Sequence, residues 1–181
     1  METISLLMDE HKNIQRVLKV SRKLCLKILY DGEVDYEAFD VIIDFLKNYA
    51  DRHHHSEEDI LLRKMEDELD ETDQIEKMFA EHDLAKVFVA NLEQALERVK
   101  EGEEDSKLDV IANAVAYADL LNRHIEKENN IIYKYAETNL SQEALDEVER
   151  KVREIEKVAG EKKITSKYTK ILDNLEVRTA F

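Results

Sequence analysis

No proline occurs in this chain of 181 residues, and glycine stands only at Gly32, Gly102 and Gly160. A sheet needs frequent tight turns, and tight turns draw on proline and glycine for dihedral angles that other residues resist. A chain so poor in both, and rich in Glu, Lys, Leu and Ala, has few places to reverse direction and is expected to fold as long helices. Apolar residues make up 43% of it, enough for a core at a length that suits one domain.

The apolar residues recur at helical spacing in segments divided by short polar breaks. The first runs from about Thr3 to Tyr30, with Leu7, Ile14, Leu18 and Cys25 on one face, and stops at Asp31-Gly32. The second starts at Asp35, an N-cap residue, and reaches about Met65; the acidic stretch Glu66–Asp73 follows as a solvated loop. The third ends near Lys100, before Gly102. Ser106 with Asp109 resembles a capping box opening the fourth, which runs to about Tyr135. A fifth begins at Ser141, carries Leu145, Val148, Val152 and Ile155, and ends at Gly160. A last one carries Ile164, Tyr168, Ile171 and Leu175. Four long helices with short links suit an all-α, antiparallel up-down four-helix bundle over residues 1–136. Residues 137–181 are then a C-terminal helical extension, packing on the bundle or on a partner subunit in a homo-oligomer.

A net charge of −15 repels phosphate backbones and anionic lipid, which argues against nucleic acid and membrane partners. No apolar run is long enough to span a bilayer. The beginning METISLLMDEHK has neither the basic region nor the apolar stretch of a signal peptide. The single Cys25 excludes an intrachain disulfide framework and fits a reducing compartment, so a cytoplasmic location is expected.

The chemistry lies in a repeat. His82 stands 71 residues after His11, His124 stands 71 after His53, and Glu128 stands 71 after Glu57. Neighbours follow the same shift: Glu10 with Glu81, Arg52 with Arg123, Ile60 with Ile131. A spacing of four places His53 and Glu57 on one helical face, and likewise His124 and Glu128. In an up-down bundle such a duplication relates the halves by a pseudo-two-fold axis, and each half turns two histidines and a glutamate inward. Two buried carboxylates repel and lose hydration, a problem that a pair of metal ions removes. Imidazole with carboxylate suits iron, manganese or zinc.

The pattern H…HxxxE…H…HxxxE, with HHHSEEDIL in the second helix and HIEKENNIIY in the fourth, resembles the hemerythrin-like cation-binding family over about residues 4–136. The resemblance implies a four-helix bundle holding two iron ions (Fe2+/Fe3+) joined by an oxo or hydroxo group. Carried over, it assigns the metal ligands to His11, His53, Glu57, His82, His124 and Glu128, with Glu57 and Glu128 bridging. Oxygen-carrying hemerythrins have two histidines four apart on the third helix, whereas Met78 and Lys86 flank His82 here. The ligand set is therefore closer to the four-histidine, two-glutamate branch. The function implied is binding or sensing of a small diatomic ligand, O2 or NO. The alternatives are a di-iron enzyme acting on peroxide, NO or O2, and iron delivery or iron–sulfur cluster repair.

His54 and His55 are rotated about 100° and 200° from His53 and are expected at the surface or bundle edge. Glu58 could pair with His54, but at the same shift its counterpart is Asn129, so the pair is set aside. Tyr49 and Tyr117 are expected as core tyrosines, Lys86 and Gln15 at solvated bundle ends, and Cys25 as a buried small residue.

Overall fold

The computed structural model describes residues 1–70 and 72–180; Glu71, within the acidic link, and Phe181 lie outside the described residues. Among the described residues the fold is all helical, with six helices in order: α1 (Glu2–Asp31), α2 (residues 36–68), α3 (Asp73–Lys100), α4 (residues 107–139), α5 (Gln142–Glu161) and α6 (Ile164–Arg178). Within α2 the stretch Leu46–His55 is wound as π-helix, and within α4 the stretch Glu128–Ile132 is.

The ends of these helices follow from local chemistry. Gly32, at φ 72°, adopts the left-handed conformation that closes α1, and its N–H donates to the Ile28 carbonyl. The Asp35 carboxylate accepts the Ala38 N–H at 3.1 Å, and the Ser141 hydroxyl accepts the Ala144 N–H at 3.2 Å. The expected capping box at Ser106 does not form. Its hydroxyl accepts from Arg98 Nε at 3.0 Å, and Arg98 also grips Asp109 at 2.7 Å, so the guanidinium takes both polar groups that the box would have used.

Four helices run up and down past two apolar layers separated by a polar one. On α1 the order is Ile4 and Leu7, then Glu10 and His11, then Ile14 and Val17; on α2 it is reversed, from Leu46 and Ala50 through His53–Glu58 to Leu61 and Met65. α3 repeats the order of α1, with Ile75 and Met78, then His82, then Ala85 and Val89. α4 repeats that of α2, from Leu121 and Ile125 through Glu128 to Ile132. The polar layer thus sits mid-bundle, sealed above and below by packed side chains.

The last two helices lie against this bundle. Ala144, Val148 and Val152 of α5 join the layer of Leu61, Leu62 and Met65, while Tyr168, Leu172 and Leu175 of α6 join the layer of Phe45 and Tyr49. Polar ties hold them in register: Lys64 Nζ to Glu147 at 2.7 Å, Arg16 to Asp173 at 2.6 Å and to Glu176 at 2.7 Å, and the Tyr168 hydroxyl donating to Asp44 at 3.0 Å. Such exposed pairs contribute little energy each, so the buried apolar stripes carry the docking. No helix among the described residues is long and apolar enough to cross a membrane.

Candidate metal centre

The polar layer gathers six side chains from the four bundle helices: His11 of α1, His54 and Glu58 of α2, His82 of α3, and His124 and Glu128 of α4. Each is at most 4% exposed, and the two carboxylates are fully buried. They divide into two histidine pairs spanned by two carboxylates. His82 and His124 face each other, Nε2 to Nε2, at 2.9 Å. His11 and His54 form the other pair, with ring centroids 4.6 Å apart. Glu128 lies between the pairs, with Oε1 2.5 Å from His124 Nε2 and Oε2 3.3 Å from His11 Nε2. Glu58 does the same from the opposite side: it can share a cation with His55, His82 and His124, and equally with His11 and His54.

An outer set of polar groups orients these rings, and it is duplicated. Glu10 accepts from His54 Nδ1 at 2.8 Å, as Glu81 accepts from His124 Nδ1 at 2.7 Å. Asn129, next to Glu128, meets His11 Nδ1 at 2.9 Å, as Asp59, next to Glu58, stands 3.7 Å from His82 Nδ1. In His54 and His124 this leaves Nε2 free to face inward, the arrangement by which outer carboxylates fix metal-binding imidazoles.

The same duplication locates each residue expected from the sequence. His11, His82, His124 and Glu128 come together. His53 and Glu57 do not join them: they lie with Glu10 and, from α5, Glu156. The expectation that His54 and His55 sit at the surface is corrected, since His53, His54 and His55 are 4%, 1% and 6% exposed. Three consecutive residues point three ways. His54 turns into the bundle, His55 stacks on the His82 ring at 3.9 Å, and His53 is covered by α5. The four-helix frame alone would have left the His53 flank in water.

Register explains the rest. α1 maps onto α3 at a shift of 71, but α2 maps onto α4 at 70, since His54, Glu58 and Asp59 match His124, Glu128 and Asn129 in their partners. The identities that supported 71 in this pair, Arg52 with Arg123 and Ile60 with Ile131, face outward or lie at the edge. The π-helical stretch ending at His55 also breaks a count of 100° per residue carried along α2, as wide turns do near many functional sites. A second residue was invisible to counting. Tyr133, five residues after Glu128 across the π-helical stretch of α4, stacks on His11 and donates its hydroxyl to Glu58 Oε1 at 2.5 Å. Tyr49 and Tyr117 are core tyrosines as expected, Tyr49 accepting from Asn13 at 3.1 Å. Lys86 is half exposed, beside Asp51 and Asp83.

The family profile of the hemerythrin HHE cation binding domain matches residues 2–136. The chain belongs to this family. Neither the curated proteins nor the solved structures contain a match. The hemerythrin-like bundle accounts for the four helices and the polar layer, and α5 and α6 lie beyond it.

The electrostatics of the layer suit a cation. Both oxygens of Glu128 and Oε2 of Glu58 are buried against imidazole nitrogens without a well-aligned hydrogen bond, which is costly for a carboxylate unless a positive charge stands close. Burial alone would raise the Glu128 carboxyl, but the imidazoles of His124, His11 and His82 pull it well below the usual range. Burial disfavours a charged His82, yet Asp59, Glu128 and Glu58 push it up to about 11. Two nitrogens bound at right angles to one ion at about 2.1 Å are roughly 3 Å apart, which matches the His82–His124 separation. The hemerythrin-like cluster of buried His and Glu therefore fits a metal site.

Proposed function

We propose that the chain is a non-haem di-iron protein that binds or senses a small diatomic ligand, O2 or NO, with its two iron ions held by His11, His54, Glu58, His82, His124 and Glu128. In this reading Glu58 and Glu128 bridge, and His54 with Glu58 takes the place first given to His53 with Glu57. The observation that carries it is the pair of buried carboxylates, each reaching both histidine pairs, with three of their four oxygens set against imidazole nitrogens without a well-aligned hydrogen bond. When bound, such an iron pair with an oxo or hydroxo bridge supplies a centre whose oxidation state changes as the ligand is taken up.

The surrounding residues favour binding over reduction. A crevice of 290 Å³ between α2 and α3 ends on His55 and His82, and the stacked His55 ring narrows it to small molecules. Reduction of O2, peroxide or NO needs protons; Lys47 and Lys86 line this crevice, but the ring that closes its inner end is no acid. Burial pushes His55 down to about 4, so it stays neutral near pH 7. Burial likewise pushes the Tyr117 and Tyr133 phenols up, so neither gives up its proton readily. Leu7, Leu61 and Ile132 exclude water from one side of the layer, and Leu18, Leu46, Val89 and Leu121 from the other.

The test loads the protein with iron, reduces it without oxygen, and records optical spectra on exposure to O2, NO and peroxide. A reversible adduct with O2 or NO is expected; rapid catalytic consumption of peroxide or NO would replace this reading with the enzyme. His54→Ala and Glu58→Gln should each lose the iron pair, whereas His53→Ala should keep it. Loss of the pair in His53→Ala with retention in His54→Ala would return the assignment to His53 and Glu57.

A further inference from the structure

The two halves of the bundle are not balanced alike. Glu81 gives one oxygen to His124 and the other to Lys127 at 2.5 Å, a fixed cation that neutralises it. Glu10, its counterpart, gives one oxygen to His54, but the other faces His53 Nε2 at 2.9 Å, and no lysine or arginine among the described residues pairs with it. Two more acids crowd the same place. Glu57, fully buried, lies with an oxygen 3.6 Å from His53 Nδ1. Glu156 of α5 comes within 3.6 Å of His53 Nε2. Both Glu57 oxygens, Glu10 Oε1, His53 Nε2 and Glu156 Oε1 are buried and make no well-aligned hydrogen bond among the described residues, although Glu10 Oε1 and His53 Nε2 are 2.9 Å apart. One ligand atom each from Glu10, His53 and Glu57 can meet within 4.8 Å.

From this geometry we infer a second cation site, for a single divalent first-row transition-metal ion, held by Glu10, His53, Glu57 and Glu156 and separate from the iron pair. The inference rests on the reading that the pair is held through His54 and Glu58. An imidazole with three carboxylates is a hard, anionic donor set suited to Mn2+, Fe2+ or Zn2+. A crevice of 940 Å³ between α2 and the helices α5 and α6, lined by His53, Ile155, Ala159 and Tyr168, leads to it from solvent. This site and the iron pair share Glu10: the carboxylate that would bind the single ion also holds His54 through Nδ1. Occupancy of one is thereby felt at the other. α5 supplies a ligand as well as a cover, which gives the helices beyond the bundle a chemical role.

The test adds Mn2+ to the full-length protein loaded with two equivalents of iron per chain and cleared of any third iron by dialysis against a weak chelator, and counts bound Mn2+ by equilibrium dialysis, with the free ion read by its electron paramagnetic resonance. The expected result is one Mn2+ per chain in addition to the two irons, with affinity at least tenfold weaker in Glu57→Gln and in Glu156→Gln. The iron optical spectrum should stay present in both. Glu156 is a partly exposed residue of α5, so its variant reports on the site without threatening the fold. No added Mn2+ in the parent, or equal binding in the parent and both variants, would overturn the inference. Failure of the iron-pair reading would look different: Glu57→Gln would then lose the iron spectrum itself.

Discussion

Tyr133→Phe removes one hydroxyl from the polar layer, where it meets Glu58 and, at 3.5 Å, His11 Nε2. The phenol donates to Glu58 Oε1 at 2.5 Å, Glu58 is fully buried, and its other oxygen makes no well-aligned hydrogen bond. Phenylalanine keeps the ring that stacks on His11 and removes only the hydroxyl. A hydrogen bond to a charged group contributes about 1.5–3 kcal/mol, and no water can replace it at a fully buried site. At about 2–4 °C per kcal/mol for a chain of this size, metal-free Tyr133→Phe should melt roughly 3–12 °C lower than the parent. The loss should be smaller in the iron-loaded protein, where cations also hold Glu58. Iron content should be unchanged, because Tyr133 is not among the proposed ligands. Calorimetry on both forms reads this directly, with Tyr30→Phe, an exposed ring, as the control. An unchanged melting temperature without metal would refute the idea that this hydroxyl sustains a buried Glu58 carboxylate. Complete loss of iron would instead make Tyr133 a ligand.

Two further outcomes follow from the orienting groups and the titrating ones. Glu81→Gln weakens the hold on His124 Nδ1 and leaves Lys127 without its carboxylate, so iron affinity should fall by about 10–100-fold in competition with a chelator, at unchanged stoichiometry. In the metal-free protein the folded value of His82 is raised from 6.5 to about 11, so the stability it contributes is fully present below 6.5 and is lost as pH rises through about 11. Metal requires the neutral ring and displaces that proton, so iron loading at neutral pH should release protons. The stabilisation it confers should grow between about pH 6 and 9, read as a widening gap between loaded and metal-free melting temperatures.

Much of the fold was legible because its signals are local. Missing prolines, apolar spacing, Gly32, Asp35 and Ser141 each act within one turn of where they stand, and the helices begin and end within a few residues of where those signals put them. Ser106 was misread for the opposite reason: Arg98, eight residues earlier, competes for its hydroxyl, and competition between helices leaves no mark in a local pattern. Burial of His53 was likewise hidden, because it depends on α5 covering one flank of α2.

The site was legible in kind but not in register. The duplication correctly signalled two related halves, and for α1 and α3 a single shift of 71 brings His11 and His82 to one layer. Carrying that shift into the next pair assumed that the α1–α2 and α3–α4 connections and the winding of α2 and α4 are equal in length. Nothing in the chain enforces this, since helices duplicated as separate rods need only agree at the layer where their side chains meet. The residues able to report the true register are those that touch across the layer: Glu10 with His54, Glu81 with His124, Asn129 with His11 and Asp59 with His82. Two of these partners, Glu10 and Glu81, were visible in sequence as a matched pair, but their targets were not, because the spacing HxxxE is satisfied at once by His53 with Glu57 and by His54 with Glu58. Only the direction in which Glu10 spends its two oxygens separates the alternatives: one orients a ring toward the bundle centre, and the other faces a ring turned toward α5. The ambiguity in the sequence therefore corresponds to two groups of potential ligands, set side by side and joined by one carboxylate.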